Sequence, residues 1–468
     1  MEDLIVAVPM LCLAVTLFAV VMLRTQRDAV VGLIAYLAVL YLIPARMVLP
    51  GAGAVGTPAV VVGIALFGWW LMSRMLPGVD MPDGPQPIRL AIALYFGWLL
   101  LTYAFVIRRP LSVIEANGSQ RAVITAFALF GVAAVAADGI ADRARLERLI
   151  AALVFLASGM AVFGLFQFFT PIDPVSYIRI PGLELTREIS VTTGRGVLNR
   201  PFSTALHPIE FGVVMALVFP LAMYRLSRAD TDGATRAARW VPVILIGAAV
   251  PLTVSRSAIL AFVVAVGYYA VSLPGRSRLN LAGAVALSVA AARAVVPGLV
   301  GTFGNLFFGA GSDPSVQTRL SDVSVVLRMV STYPMMGWGP GIMNVDEYTL
   351  LDNQFYVTTI EMGVIGLVLL FGLIATGVIV GRRVAKLASD DETRRLAYAL
   401  TGAVLAAGVS MATFDGFAFR IFSGMLFVLL GMVGALWRIQ GAAVEDGRKG
   451  IDGAAGSLSM KRTESSWT

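Results

Sequence analysis

The sequence predicts an all-α, polytopic transmembrane bundle of about 13 spans, on three observations. Apolar residues fill 58% of the 468 positions, charged residues only 14%, and the mean hydropathy is +0.81, whereas soluble domains are about one quarter charged. The apolar content suffices for about 13 helices of about 20 residues each. Runs of that length satisfy their backbone in hydrocarbon only as helices. The composition excludes a disordered chain and a secreted disulfide scaffold. Cys12 is the single cysteine and His207 the single histidine, so neither a Cys cluster nor a multi-histidine metal site can be assembled. Any chemistry rests on Arg, Asp, Glu, Tyr and one imidazole.

The apolar runs lie near residues 4–23, 29–45, 56–73, 90–107, 122–138, 149–169, 206–224, 240–254, 257–273, 279–299, 356–381, 396–413 and 418–437. The first begins behind acidic Glu2 and Asp3 and has no small-residue cleavage pattern after it, so it reads as a retained helix rather than a signal peptide. An external N-terminus places 23 of the 36 basic residues, including all three lysines, on the inner side, as the positive-inside rule requires. The prediction is therefore N-terminus out and C-terminus in. Residues 1–437 form one membrane domain with long outer loops at about 170–205 and 300–355. Residues 438–468, rich in Gly, Ser and charge, read as a disordered cytoplasmic tail.

Twelve arginines face outward against the bias: Arg46, Arg108, Arg109, Arg121, Arg179, Arg187, Arg195, Arg200, Arg256, Arg319, Arg328 and Arg420. Singly, each reads as a snorkelling side chain or the partner of an acid such as Asp173, Glu184 or Glu188. As a group they suit a lipid-linked phosphate or diphosphate, because a guanidinium clasps phosphate oxygens two at a time and keeps its charge when partly desolvated. Arg256 sits in Thr253-Val254-Ser255-Arg256-Ser257-Ala258, at the outer end of a tight helical hairpin. Arg200 stands in Asn199-Arg200-Pro201-Phe202-Ser203-Thr204, just before a helix predicted from Leu206, with Ser203 and Thr204 as N-cap types. His207 and Glu210 follow on one face, and Pro208 suits the first turn. His207 reads either as a structural hydrogen-bonder or as a catalyst. Arg293 lies inside a span and reads as a snorkelling side chain.

In the second long loop Leu320, Val323, Leu327 and Val330 recur at helical spacing among polar residues, which predicts an amphipathic helix lying on a surface. Tyr333-Pro334-Met335-Met336-Gly337-Trp338-Gly339-Pro340-Gly341 breaks it with a close-packed turn. The acids Asp346, Glu347 and Asp352 follow; Glu361 starts the next span, where Gly363 and Gly366 permit close helix approach. Asp346 and Glu347 read as solvated loop charge. Asp352 and Glu361, nearer the bilayer, are the stronger candidates for a functional carboxylate.

In order, these landmarks resemble the O-antigen ligase and O-antigen polymerase family of bacterial membrane glycosyltransferases. The resemblance rests on Arg200-Pro201-Phe202-Ser203-Thr204-Ala205-Leu206-His207-Pro208 before Glu210-Phe211-Gly212, and on Ser255-Arg256-Ser257-Ala258. It continues with the Arg328 helix ending at Pro334 and Gly337-Trp338-Gly339, then Asp352-Asn353-Gln354-Phe355-Tyr356 and Glu361-Met362-Gly363-Val364-Ile365-Gly366. It implies a multi-pass enzyme of the bacterial cytoplasmic membrane that needs neither metal nor cofactor and uses a polyprenyl-diphosphate-linked oligosaccharide donor on the outer face. Arg200 and Arg256 would hold the donor diphosphate, with Arg328 as a third candidate, and Asp352, then Glu361 or His207, would serve as base. Asp352 occupies the place where ligases of the family carry a histidine, which favours a polymerase over a ligase. The implied partners are the donor, a glycan acceptor and membrane lipids, with no nucleic acid and with a chain-length regulator left open. Single displacement at the anomeric carbon predicts inversion, by analogy with two-carboxylate glycoside hydrolysis. Transfer to a lipid or protein acceptor is an alternative. A lipid-linked glycan transporter is another, although transporters gather polar sites at the midplane in related halves.

Overall fold

A computed structural model describes residues 28–50, 56–75, 86–170, 172–185, 194–195, 198–228, 233–279, 281–283, 285, 314–343 and 351–464. Among them the chain is helical: α1 (Ala29–Leu42), α2 (Pro58–Met75), α3 (Pro87–Val106), α4 (Val113–Gly139), α5 (Arg143–Phe169), α6 (Pro208–Leu226), α7 (Gly233–Leu252), α8 (Arg256–Ala270), α9 (Pro314–Thr332), α10 (Gln354–Leu387), α11 (Asp391–Ser410) and α12 (Arg420–Glu464). Four two-residue strands add small antiparallel ribbons, β1 (Met47–Val48) with β2 (Glu184–Leu185) and β3 (Gly194–Arg195) with β4 (Leu198–Asn199).

Eight of the described helices are long and apolar enough to cross a membrane, against the 13 spans expected. Of the remaining apolar runs, 29–45 and 257–273 fall on α1 and α8, which are shorter than 18 residues. The run 396–413 falls on α11, whose first turns hold Asp391, Glu392, Arg394 and Arg395. The run 4–23 and most of 279–299 lie outside the described residues, as do Cys12, Arg187, Arg293, Asp346 and Glu347.

Lipid tails are as apolar as leucine, so close packing rather than water exclusion holds such a bundle together. α4 packs on α2 and α12, α8 on α6 and α11, and α10 on α11 and α3. A Cβ at Gly63 of α2 would come within 2.8 Å of the Ala128 Cβ on α4, and one at Gly431 of α12 within 2.4 Å of the Ala136 Cβ. α6 and α12 are enclosed, while α3 and α7 keep most of their surface outward.

Hydrogen bonds sort the helix ends into two faces. On one, the Thr204 carbonyl accepts from Ala45 N at 2.8 Å, the Ala45 carbonyl from Arg420 at 2.6 Å, and Arg46 pairs with Asp173 at 2.7 Å. On the other, Asp138 joins Arg74 and Arg89, Gln86 reaches the Gly434 carbonyl, and Arg143, Glu147, Tyr224, Arg228 and Glu392 interlock. The ends that the arginine distribution predicts to lie on one side therefore meet one another. α12 continues to Glu464, past the position where composition predicts disorder from residue 438. No proline interrupts that stretch, and extending a formed helix avoids the cost of nucleation.

Candidate active site

Arg200 is built into the fold. Its segment lies across the ends of α1, α5 and α6, and Ser203 adopts φ +53°, a left-handed conformation that a side chain disfavours. Local hydrogen bonds hold it there. Gln167 Oε1 accepts from the Phe202 and Ser203 amides, Ser203 Oγ donates to the Met160 carbonyl, and Thr204 Oγ1 donates to the Tyr41 carbonyl. Gln167 is fixed in turn by Asp173, the partner of Arg46. Ser203 and Thr204 are therefore loop anchors and not the N-cap expected of them. The cap of α6 is His207, whose Nδ1 accepts from Ile209 N at 3.1 Å, with Pro208 as the first helical residue.

Buried Arg200 donates through Nε to the Thr253 carbonyl at 3.0 Å, across 53 residues of sequence. Thr253 belongs to the turn between α7 and α8, Ser255 caps α8 through its hydroxyl, and Arg256 is the first residue of α8. Val254 within that turn has φ +49°, strained for a β-branched residue. α6 presses directly on the turn: a Cβ at Gly212 would lie 2.6 Å from the Ala258 Cβ and 2.7 Å from Thr253 Oγ1. Two arginines distant in sequence are thus tied to one strained, closely backed turn at a helix N-terminus, a place that favours anions.

Glu210, fully buried, accepts from the Leu206 amide at 2.8 Å and from Ile421 N and Phe422 N at 2.7 and 3.3 Å. It clamps the starts of α6 and α12. His207 packs on Phe419, centroids 6.2 Å apart. Arg328 is exposed on α9, which packs on α10. The buried side of α9 also differs from expectation. Val326 is enclosed and Met329 and Val330 pack with it against Trp338, while Val323 and Leu327 are exposed.

The predicted span from Glu361 holds a break. α10 bends at Gly363 (φ +70°, ψ −174°), and the backbone groups freed there are taken by the loop after α9. Trp338 N donates to the Ile360 carbonyl and Gly339 N to the Glu361 carbonyl, both at 2.8 Å, and Trp98 Nε1 donates to the Met362 carbonyl at 2.9 Å. A Cβ on Gly363 would lie 2.1 Å from the Met335 carbonyl oxygen. Gly363 therefore serves this break and loop, not only helix approach.

Glu361, half-buried, accepts from Met343 N at 3.2 Å. Asp352 is exposed, just before Asn353, which caps α10 by accepting from Phe355 N at 2.9 Å. Between them, in electrostatic reach of both, is Asp415 in the turn between α11 and α12, a residue the sequence reading passed over. That turn is tied to α10, since Gln354 N donates to the Met411 carbonyl and Gln354 Oε1 accepts from Phe417 N. Phe414 and Phe419 of the turn pack with ring centroids 5.5 Å apart at a tilted angle, and Phe419 in turn touches His207. Among the described residues no group of three His, Cys, Asp or Glu side chains is arranged to hold a metal ion.

Desolvation pushes the Asp415 carboxyl up to about 7; the Ala418 amide opposes this, the Asp352 carboxylate adds to it, and the Phe417 amide opposes it. With a folded pKa above the unfolded value of 3.8, the folded protein holds the extra proton. Stability from this group is therefore highest below that value and falls as pH rises towards about 7. Thermal unfolding of the wild type and Asp415→Asn across pH 4 to 8 checks this. The midpoint of the wild type falls relative to the variant across this window, and a constant difference contradicts it.

The fold defines a multi-pass helical membrane protein in which Arg200 is bonded to the turn that precedes Arg256. Residues 241–371, under a third of the chain, are similar to the O-antigen ligase family. The match takes in Arg256, Arg328, Asp352 and Glu361 and leaves Arg200, His207 and Asp415 outside it. No curated protein matches the chain.

Proposed function

We propose that the protein is a membrane glycosyltransferase that joins glycan units from a polyprenyl-diphosphate-linked donor on the outer face of the bacterial cytoplasmic membrane, with polymerisation favoured over transfer to a different acceptor. The observation that carries the reading is the bond from Arg200 to the Thr253 carbonyl, which ties it to the turn bearing Arg256. In the proposed reaction an acceptor hydroxyl attacks the anomeric carbon, the glycosidic C–O bond forms, and the bond to the lipid diphosphate breaks with inversion. Charge grows on the departing oxygen, and Arg200 and Arg256, already fixed, stabilise it more in the transition state than in the ground state. Arg328, on an exposed face, contacts the outer part of the donor.

Asp352 takes the proton of the attacking hydroxyl, with Asp415 and Glu361 behind it. His207 caps α6, its Nδ1 accepting from the Ile209 amide, and stands behind these carboxylates as a candidate base. The test is reconstitution of the purified protein with a lipid-diphosphate-linked oligosaccharide. A glycan ladder with release of lipid diphosphate is expected. Single transfer without a ladder would identify a ligase, and translocation without bond formation would contradict the enzyme reading.

A further inference from the structure

Of the two arginines just past the end of α3, Arg108 is exposed and Arg109 is half-buried. The corner between α3 and α4 is held by its own bonds: Arg109 N donates to the Val106 carbonyl at 3.1 Å, and Ser112 and Glu115 form a capping box at the start of α4. Arg109 lies in the angle between two rings of the loop after α9. Its guanidinium carbon is 5.4 Å from the Tyr333 centroid and 5.0 Å from that of Trp338, and the two rings are 5.2 Å apart at 83°. Its Nη2 also donates to the Trp338 carbonyl. A planar guanidinium can meet an aromatic face and still donate within its own plane, which an ammonium cannot do.

The same corner grips the loop again further on. Buried Ser119 of α4 donates to the Pro340 carbonyl at 2.7 Å. Gly341, at φ +71°, lies so close that a Cβ on it would come 2.3 Å from the Gly118 carbonyl oxygen, and one on Gly339 would come 2.6 Å from a Val106 methyl. On its other side the loop carries the break in α10. Besides the bonds from Trp338 N and Gly339 N to the Ile360 and Glu361 carbonyls, Val364 N donates to the Pro334 carbonyl at 2.9 Å, and Met343 N donates to Glu361 Oε1 at 3.2 Å. The main chain and the carboxylate of Glu361 are thus both held by a loop that the α3–α4 corner holds in turn.

We propose that Arg109 is a positioning residue for glycan transfer: set in the corner of Tyr333 and Trp338, it seats the loop on the break in α10 and through the loop fixes the Glu361 carboxylate. The proposal rests on the reading of Glu361 as one of the carboxylates that serve the transfer. It assigns one of the outward arginines to the loop rather than to the donor diphosphate, since two rings and a carbonyl meet its guanidinium.

The test combines hydrogen exchange with transfer kinetics on the reconstituted full-length protein. In Arg109→Gln the amides of Trp338, Gly339 and Met343 exchange about tenfold faster. The kcat for glycan transfer falls about tenfold with an unchanged KM for the lipid-linked donor, because a displaced carboxylate slows the chemistry and leaves the donor grip intact. In a Glu361→Gln background the same substitution lowers kcat no further, as expected of a residue that acts through Glu361. Arg109→Lys keeps the charge, guards against misfolding and loosens the same amides by less. Unaltered exchange in both Arg109 variants, a raised donor KM with kcat intact, or losses that multiply in the double variant would each overturn the proposal. If the wild type transfers no glycan, the enzyme reading fails, and exchange at these amides alone decides whether Arg109 seats the loop.

Discussion

Arg256→Lys lowers turnover with a lipid-diphosphate-linked donor by about a hundredfold while leaving the protein folded. The position is the first residue of α8, after a hydroxyl cap from Ser255 and a left-handed Val254. Lysine keeps the charge and the helix but offers a mobile point donor where a planar fork is required. The loss falls on kcat more than on KM, because the fork acts on charge that develops as the diphosphate departs. Single-turnover measurement of glycan transfer separates the two. A variant with near-normal kcat and a raised KM would make Arg256 a contact of the ground state only.

Gly363→Ala removes most folded protein from detergent extracts. The new Cβ would need φ +70° and would meet the Met335 carbonyl oxygen at 2.1 Å, and backbone on that side cannot swing away as a long side chain can. The strain alone is worth about 1–3 kcal/mol, and displacing the loop also breaks the bonds from Trp338 N and Gly339 N to α10. Gly372→Ala, in the same helix with nothing within 4 Å of its added Cβ, is the matched control. Size-exclusion profiles and thermal midpoints of the two variants check the contrast. Equal behaviour would mean that α10 is not held at this break.

The spans were legible because a run such as 149–169 leaves a long apolar segment little choice, and α5 covers it from Arg143 to Phe169. Arg200 and Arg256 were legible as outward arginines working against a charge bias. Their attachment to one turn was not, because the Thr253 carbonyl is a backbone group and carries no sequence signature. Asp415 was hidden for a related reason: Phe414-Asp415-Gly416 reads as ordinary turn punctuation until the turn is seen against α10. The break at Gly363 was masked by its apolar neighbours, which made the glycine look like a helix-packing residue. On α9 the period fixed a helix but not its buried side, since Val326 and Met329 compete with Val323 and Leu327 and only Trp338, Val357 and Ile360 decide between them. The cap of α6 was misplaced because a histidine Nδ1 can do the work of a serine hydroxyl.

The proposed reaction depends on two guanidiniums gripping a departing diphosphate. The most direct measurement is release of lipid diphosphate by reconstituted protein in excess chelator, comparing wild type with an Arg200→Gln, Arg256→Gln double variant shown to be folded by its thermal midpoint. Wild type is expected to turn over undiminished and the double variant to release none above background. Glycosidic coupling that survives in the double variant, or wild-type turnover abolished by the chelator, would contradict it.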